Sequence, residues 1–549
     1  MTETDRPATP PVDLYSRSAD VYLEPPEGLL ATFRHLGPGL ILVGSIVGSG
    51  ELILTTRLGA QAGFVLMWFV ILSCLLKVVV QAELVRHTIS SGETFLEAFS
   101  RLPGPAVLRP RWFTFGWLGT VSLASFAAAT IAMRQKPTPL LLLKLAAGVA
   151  LCGVAAAFVI GWMRKPVTGE DAAAPGTAAV SPPRMNWFLW CWMLCQLGMF
   201  INGGAILGGA AQAVQLAFPA VFGEHGAQVW AVVVGVVCAI LLTGGGYRFL
   251  ERLSFVLVAG FTFITVICTF LLQRTEYAIT PQNLLDGLTF SLPVPLEAGV
   301  VLPVLGVFAA TGIGHWEMLS YTYWCIEKGY ARAAGARTEE AAWQRRAAGW
   351  VRVMYIDSWA TFVVYTSSTI CFYLLGAAIL HARGEDPAGI GTLLILQNVY
   401  TSSLGPQAAA LFIAGAFCVL FSTTVSGTAA NSRIMADAAS VFGFIQRNDT
   451  TGRLRLIRIA IVGSLLVNSY AYYLFEDPTL MLLVSGTLAV FMYPALGLGA
   501  LWLRYRGVDP RLQPGPAVTA ALWFCGLSLA VIAPLMAVVS LALSLGWKP

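Results

Sequence analysis

Apolar runs of about twenty residues recur along almost the whole chain, and they limit its fold more than any other feature. Each run is long enough for a helix to cross a bilayer. Only 11% of the 549 residues are charged, 57% are hydrophobic and the mean hydropathy is +0.72. The sequence therefore predicts an all-α polytopic integral membrane protein. About thirteen runs are predicted, near 36–56, 63–88, 112–133, 139–163, 187–217, 228–245, 253–273, 298–326, 352–380, 405–440, 455–475, 479–503 and 517–546.

The distribution of basic residues predicts the orientation of these spans. If the N-terminus is cytoplasmic, most Lys and Arg fall in cytoplasmic connections, as is usual for membrane proteins. An odd number of spans then puts the C-terminus outside, and we expect an inner or plasma membrane. The Pro-rich segment 1–34 is expected to be a flexible cytoplasmic tail, and 164–186 a flexible linker. The basic segment 327–352 is expected to form a cytoplasmic amphipathic helix.

The first apolar run is interrupted in its middle by Gly48, Ser49, Gly50 and Glu51. Lipid cannot satisfy backbone groups freed by a broken helix, so such a break must face protein or a water-filled cavity. Close helix packing accounts for the glycines but not for a carboxylate at this depth. Glu51 is a candidate cation ligand or proton carrier, and the alternative is a structural acid that caps a half-helix.

A second break lies in the run near 298–326. Thr311, Gly312, Ile313 and Gly314 precede His315, Trp316 and Glu317. The two breaks lie in helices of opposite predicted direction, which is typical of a transporter substrate site. His315 is a candidate metal ligand or a helix–helix contact, and Glu317 is a weaker candidate.

Further polar residues lie within apolar runs. Lys77 is deep enough to need a partner, either in a structural ion pair or in ion coupling. The hydroxyls of Ser422, Thr423 and Thr424 are candidate cation ligands, although bonds to their own helix are the simpler interpretation.

Several motifs resemble the Nramp family of divalent-metal transporters. Segment 36–64 resembles the start of the family sequence, and 246–252 the loop after its fourth helix. The resemblance continues in 306–319 for the sixth helix, 421–435 for the eighth and 485–494 for the tenth. It implies a LeuT-type fold of two inverted five-helix repeats with broken first and sixth helices, in about eleven family helices.

The resemblance also implies an organisation of the chain. After the tail come the first two core helices, an inserted transmembrane hairpin, the flexible linker, the rest of the first repeat, the second repeat and a final helix. The corresponding segments are 35–110, 111–163, 164–186, 187–274, 298–503 and 517–546.

The chain departs from the family at the residues that bind metal. Gly48-Ser49-Gly50-Glu51 stands where the family has Asp-Pro-Gly-Asn, and Ile313-Gly314-His315 where it has Met-Pro-His. Gly203 and Ile206 stand where the family has acids linked to proton movement. The carboxylate without a thioether favours Mg²⁺ or Mn²⁺ over softer metals, with Glu51 and His315 as ligands and without the usual proton coupling.

Three functions remain open at this stage. The first is a secondary transporter that moves divalent cations by alternating access. The second is a proton- or sodium-coupled symporter of a small organic solute, such as an amino acid or a carboxylate, whose carboxylate would bind the amides of a half-helix. The third is a non-transporting sensor. No enzyme motif is present, and no cofactor, nucleic-acid partner or obligate protein partner is expected.

Overall fold

The computed structural model describes residues 15, 22–48, 50–108, 184–245, 247–292, 304, 306–387, 392–405 and 408–544. Their helices are α1 Leu29–Phe33, α2 Pro38–Ile46, α3 Thr56–Ala62, α4 Met67–Ser91, α5 Phe95–Phe99, α6 Trp187–Ala217, α7 Gly226–Gly244, α8 Tyr247–Leu271, α9 Pro281–Asp286, α10 His315–Lys328, α11 Tyr330–Ala334, α12 Ala341–Leu375, α13 His381–Arg383, α14 Thr392–Leu404, α15 Ala408–Val441, α16 Thr450–Phe475, α17 Pro478–Val490, α18 Tyr493–Arg506 and α19 Pro516–Ser544.

Shorter elements connect or extend these helices. Residues 306–310 are helical. Wider π-helical turns occupy Gly50–Thr55 and Gly376–Leu380, and 3-10 turns occupy Gly223–His225, Leu272–Arg274 and Pro510–Leu512.

Eight helical segments among the described residues are long and apolar enough to cross a membrane. A ninth span is formed by α2 together with Gly50–Ala62, which are bent by 45° at the first break. The second broken helix consists of two short halves, 306–310 and α10. The prediction of an integral membrane protein is therefore confirmed, whereas the predicted hairpin 111–163 lies outside the described residues.

A small antiparallel sheet is formed by one strand before the segment 109–183 and one strand after it. Strand β1, Ala106–Leu108, pairs with β2, Arg184–Asn186, in the register Ala106↔Asn186. This pairing places Leu108 beside Arg184. The last three residues of the predicted linker belong to this sheet, because their backbone is paired with β1.

Two segments that are predicted to be cytoplasmic differ in structure from what the sequence predicts. The segment 327–352 is not one helix, because Gly329 and Gly335 adopt positive φ angles of 97° and 82° and separate α11 from its neighbours. The described end of the tail is bound rather than flexible, since the Leu23 N–H donates to the Ala333 carbonyl at 3.0 Å. The indole N–H of Trp350 donates to the Leu23 carbonyl at 2.8 Å.

The two broken helices lie inside the bundle. Helix α2 packs against α8, α10, α12 and α15, while α4 packs against α10, α12 and α19. Helix α6 crosses the other side of the bundle against α7, α15, α16 and α17. The start of α2 is held by Asp357 of α12, whose carboxylate accepts from the N–H groups of Gly37 and Gly39 at 3.3 and 2.7 Å. Residues far apart in sequence therefore fix the position of the first break.

Candidate functional site

Each break interrupts the α-helical pattern, in which the N–H of a residue donates to the carbonyl four residues earlier. The Thr311 N–H still donates to Val307, but the Gly312 N–H does not continue the pattern to Phe308. Likewise the Val47 N–H donates to Val43, but the Gly48 N–H does not reach Gly44. Because unpaired backbone groups are costly inside a bilayer, the freed groups need other partners.

Glu51 accepts from both freed N–H groups. Its Oε1 accepts from the Gly312 N–H at 2.8 Å, and its Oε2 accepts from the Gly48 N–H at 3.4 Å. The side chain is fully buried. The hydroxyls of Thr55 and Thr311 also lie 3.0 Å apart, so they link the same two helices. The carboxylate therefore joins the two breaks to each other.

The freed carbonyls of Phe308, Thr311 and Gly44 have different partners. Lys77 donates to the Phe308 carbonyl and, at 2.7 Å, to the Thr311 carbonyl. The Gly44 carbonyl accepts from the hydroxyls of Ser422 and Thr423, at 3.2 and 3.1 Å. The helical hydrogen bond from the Gly312 N–H to the Phe308 carbonyl is missing. Glu51 accepts from its donor, and Lys77 donates to its acceptor.

Glycine is required at both breaks by close packing as well as by backbone shape. A Cβ at Gly48 would collide with the side chain of Thr423, and one at Gly50 with the Ala310 carbonyl. Gly312 has a φ angle of +64°, in the left-handed region that favours glycine. The sequence pattern that predicted the breaks therefore also allows the helices to approach each other.

A cavity of about 100 Å³ lies beside the breaks. Its wall is formed by α2, α6, α10, α15, α16 and α17, together with the half-helix 306–310 and the π-helical turn that begins at Gly50. Among the residues predicted from the sequence, those that line it are Gly50, Gly312, Gly314, His315, Trp316, Glu317, Thr423 and Thr424. The structure thus brings these eight residues together at one cavity.

Other predicted residues lie outside this wall. Glu51, Lys77 and Ser422 bond to the backbone of the breaks, and Gly48, Thr311 and Ile313 are buried around them. Ser49 lies outside the described residues. The acid that faces the cavity is Glu317, which also interacts with the Ser45 hydroxyl. Glu51 bonds to backbone amides, whereas Glu317 lines the cavity. The sequence positions of these two acids did not predict this difference.

Sequence reasoning missed several polar residues of the wall. They include Asn202, Asn431 and Asn468, which lie within apolar helices where an amide side chain is a detectable signal. Asn202 accepts from Ser485 at 3.3 Å, and Asn431 accepts from the Gln196 amide at 2.8 Å. Met199 also lines the cavity, so a thioether is present although Ile313 replaces the methionine expected from the resemblance.

The aromatic part of the wall carries unpaired polar atoms. Among the described residues, His315 Nε2 and the indole nitrogen of Trp316 have no hydrogen-bond partner. Trp316 stacks on Trp192 with ring centroids 6.3 Å apart, and His315 makes an edge contact with Tyr493 at 6.4 Å. Because buried polar atoms are normally paired, the free His315 nitrogen points to a ligand or water in the cavity.

The hydroxyl groups of Ser422, Thr423 and Thr424 on α15 donate hydrogen bonds to backbone carbonyls. Thr424 donates to the Leu420 carbonyl at 2.9 Å, and Thr423 lies within reach of both Gly44 and Val419. Their oxygens retain acceptor capacity toward the cavity. No cluster of three or more His, Cys, Asp or Glu side chains that could hold a metal occurs in the described part of the chain. Any metal bound here would therefore rely mainly on hydroxyls, amides and water.

Two broken helices around a polar cavity, within a bundle of apolar spans, define a transporter-type integral membrane protein. The family model described as natural resistance-associated macrophage protein-like matches residues 166–538. The chain belongs to the Nramp family, a family of divalent-metal transporters, which confirms the resemblance. The first broken helix lies before the matched segment.

Solved structures support the same fold. A manganese transporter of Eremococcus coleocola, in complex with an aromatic bis-isothiourea substituted compound, matches with a TM-score of 0.58 at 16% identity; the match covers 97% of this chain and 93% of that one. A point mutant of that transporter matches with a TM-score of 0.59 and the same identity and coverage. The predicted LeuT-type fold with two inverted repeats is confirmed. No curated protein sequence matches the chain.

Proposed function

We propose that the protein is a secondary transporter that moves a divalent cation of the Mg²⁺ or Mn²⁺ class by alternating access. The single observation that carries this proposal is the cavity, where Glu317 faces the hydroxyls and amides of five other helices. Oxygen ligands suit hard cations, and Mg²⁺ usually keeps several waters of its own. A cavity of about 100 Å³ has room for a cation together with several waters.

Glu317 is the proposed anionic ligand, and His315 Nε2 is a candidate ligand or water partner. Glu51, which the sequence favoured as a ligand, serves instead as the acceptor for the amides of both breaks. Gly203 and Ile206 line the cavity at the positions where the resemblance places acids. This supports transport without the usual proton coupling. We also propose a cytoplasmic N-terminus, because basic residues concentrate in the connections on that side.

A small organic solute is the second candidate, and one observation counts against its carboxylate-binding form. A substrate carboxylate in this kind of site would bind amides at a half-helix N-terminus. The amide of Gly48, before the second half of the first broken helix, already donates to Glu51. At the start of α10, the Glu317 carboxyl group interacts with the amides of Gly314 and of Glu317 itself. Trp316 nevertheless offers an aromatic surface to the cavity, so organic solutes belong in the transport assay.

The test is uptake of Mg²⁺ and Mn²⁺ into proteoliposomes, with and without a pH gradient, beside a panel of amino and organic acids. Glu317→Gln removes the proposed anionic ligand and should abolish metal uptake. Glu339→Gln is the matched control, since the Glu339 side chain is 88% exposed and does not line the cavity. Absence of metal uptake by the wild type would refute the proposal, and unchanged uptake by Glu317→Gln would refute the assignment of the ligand.

A further inference from the structure

Lys77 is the charged side chain that contacts the carbonyls of the second break. Its ammonium group is fully buried on α4 and donates to the carbonyls of Phe308 and Thr311. These carbonyls lie at the C-terminal end of the half-helix 306–310, where the helix dipole concentrates partial negative charge. Neither carbonyl can accept from its own helix, because the backbone breaks between Thr311 and Gly314.

The surroundings of the ammonium group are those of a cation-binding site. Nζ lies 5.0 Å from the centre of the Phe308 ring and 5.4 Å from that of Tyr493. Aromatic faces attract cations through their quadrupole. Two carboxylates, Glu51 and Glu317, interact with Lys77 electrostatically. Carbonyl oxygens, aromatic faces and acids therefore surround a single positive charge.

Lys77 and Glu51 bond to the two sides of the same gap in the second broken helix. Glu51 accepts from the Gly312 N–H, and Lys77 donates to the Phe308 carbonyl, so the pair replaces both sides of one helical hydrogen bond. A buried carboxylate without an opposite charge would be costly in a bilayer.

From this geometry we infer that the second break contains a binding site for a small monovalent cation, and that the Lys77 ammonium occupies this site permanently. The ligands of the site are the carbonyl oxygens of Phe308 and Thr311. The inference goes beyond the proposed function, because it concerns the break itself rather than the cavity that holds the transported cation. It implies that removal of the lysine side chain creates a site for Na⁺, K⁺ or methylammonium.

The test compares two variants that differ in the space they leave. Lys77→Ala removes the charge and opens the volume of the side chain, so a free cation and water can enter. Lys77→Met removes the charge but fills most of that volume, so a cation cannot enter. Both variants should melt at a lower temperature than the wild type in a buffer whose cation is the large N-methylglucamine ion.

Cation titration of the purified full-length protein then separates the variants. The melting temperature of Lys77→Ala should rise saturably with Na⁺ or methylammonium, because a ligand that binds only the folded state stabilises it. Lys77→Met, the wild type and Lys328→Ala should show no such rise. Lys328 is the matched control: its ammonium also bonds a carboxylate and a carbonyl, Glu251 at 2.8 Å and Leu36 at 3.4 Å, but it is 21% exposed.

Lys77→Gln covers the case in which Lys77→Ala does not fold, since the NH₂ group of its amide can still donate to a carbonyl. It should show a smaller rise with the same cations. Equal responses of Lys77→Ala and Lys77→Met would overturn the inference. So would failure of both Lys77→Ala and Lys77→Gln to accumulate when they are extracted in methylammonium. This test measures melting temperature and not metal uptake. Its result therefore does not depend on whether the protein transports metal.

Discussion

Replacement of Glu51 by Ala removes the acceptor shared by the two breaks. The bond from the Gly312 N–H is short, at 2.8 Å, and lies in a fully buried position, where an unpaired donor is costly. Its loss is expected to cost about 2–3 kcal/mol, and the loss of the longer bond from Gly48 about 1 kcal/mol. The sum is about 3–4 kcal/mol of the free energy of unfolding. Glu51→Gln should cost about half as much, because the amide oxygen keeps one of the two bonds.

The measurement is the free energy of unfolding in detergent, followed by tryptophan fluorescence during titration with a denaturing detergent. Glu339→Ala is the control, since its weak contact with Arg511 at 3.6 Å is exposed and should contribute about 0–1 kcal/mol. A Glu51→Ala protein within about 1 kcal/mol of this control would refute the assigned structural role, because a loss of about 3–4 kcal/mol is expected. If Glu51 were only a cation ligand, its replacement would reduce uptake without this loss of stability.

Three further predictions follow from individual contacts. Gly50→Ala should destabilise the protein by about 1–3 kcal/mol by collision with the second broken helix, whereas Gly463→Ala, with nothing near its Cβ, should gain up to about 1 kcal/mol; equal melting temperatures would contradict this. Asp357→Ala should lower the free energy of unfolding by about 2–4 kcal/mol, because it frees the first amides of α2; an unchanged denaturant midpoint would count against that role. The Arg511 guanidinium holds the pKa of Asp509, in the loop before α19, below its usual value. The stability it contributes is therefore present above its usual pKa of about 4 and lost as the pH falls below it. Melting curves should show Asp509→Asn below the wild type at neutral pH and converging with it in acid; a constant difference would exclude this linkage.

The described spans were largely predictable from the sequence, because a bilayer tolerates only long apolar helices and places strict limits on polar residues. The breaks were predictable for the same reason: glycines and acids stand out within apolar runs. The structure also agrees with the Gly-rich pattern at 311–314, where Gly312 adopts a positive φ angle. The course of the tail at Leu23 was not predictable, because its partners Ala333 and Trp350 lie more than 300 residues away.

The sequence by itself determined that Glu51 lies at a break and that a second break follows at Gly312. It did not determine which way the carboxylate points, because a helix position specifies a direction only relative to its own axis. The packing of α2 against the second broken helix brings Gly312, 261 residues away, to 2.8 Å from Glu51. That contact directs Glu51 to the backbone and leaves Glu317 to face the cavity. Each freed N–H and carbonyl needs a hydrogen-bond partner inside the bilayer. Which side chain is near enough to be that partner depends on how the helices pack in the folded bundle, so only the tertiary structure determines it.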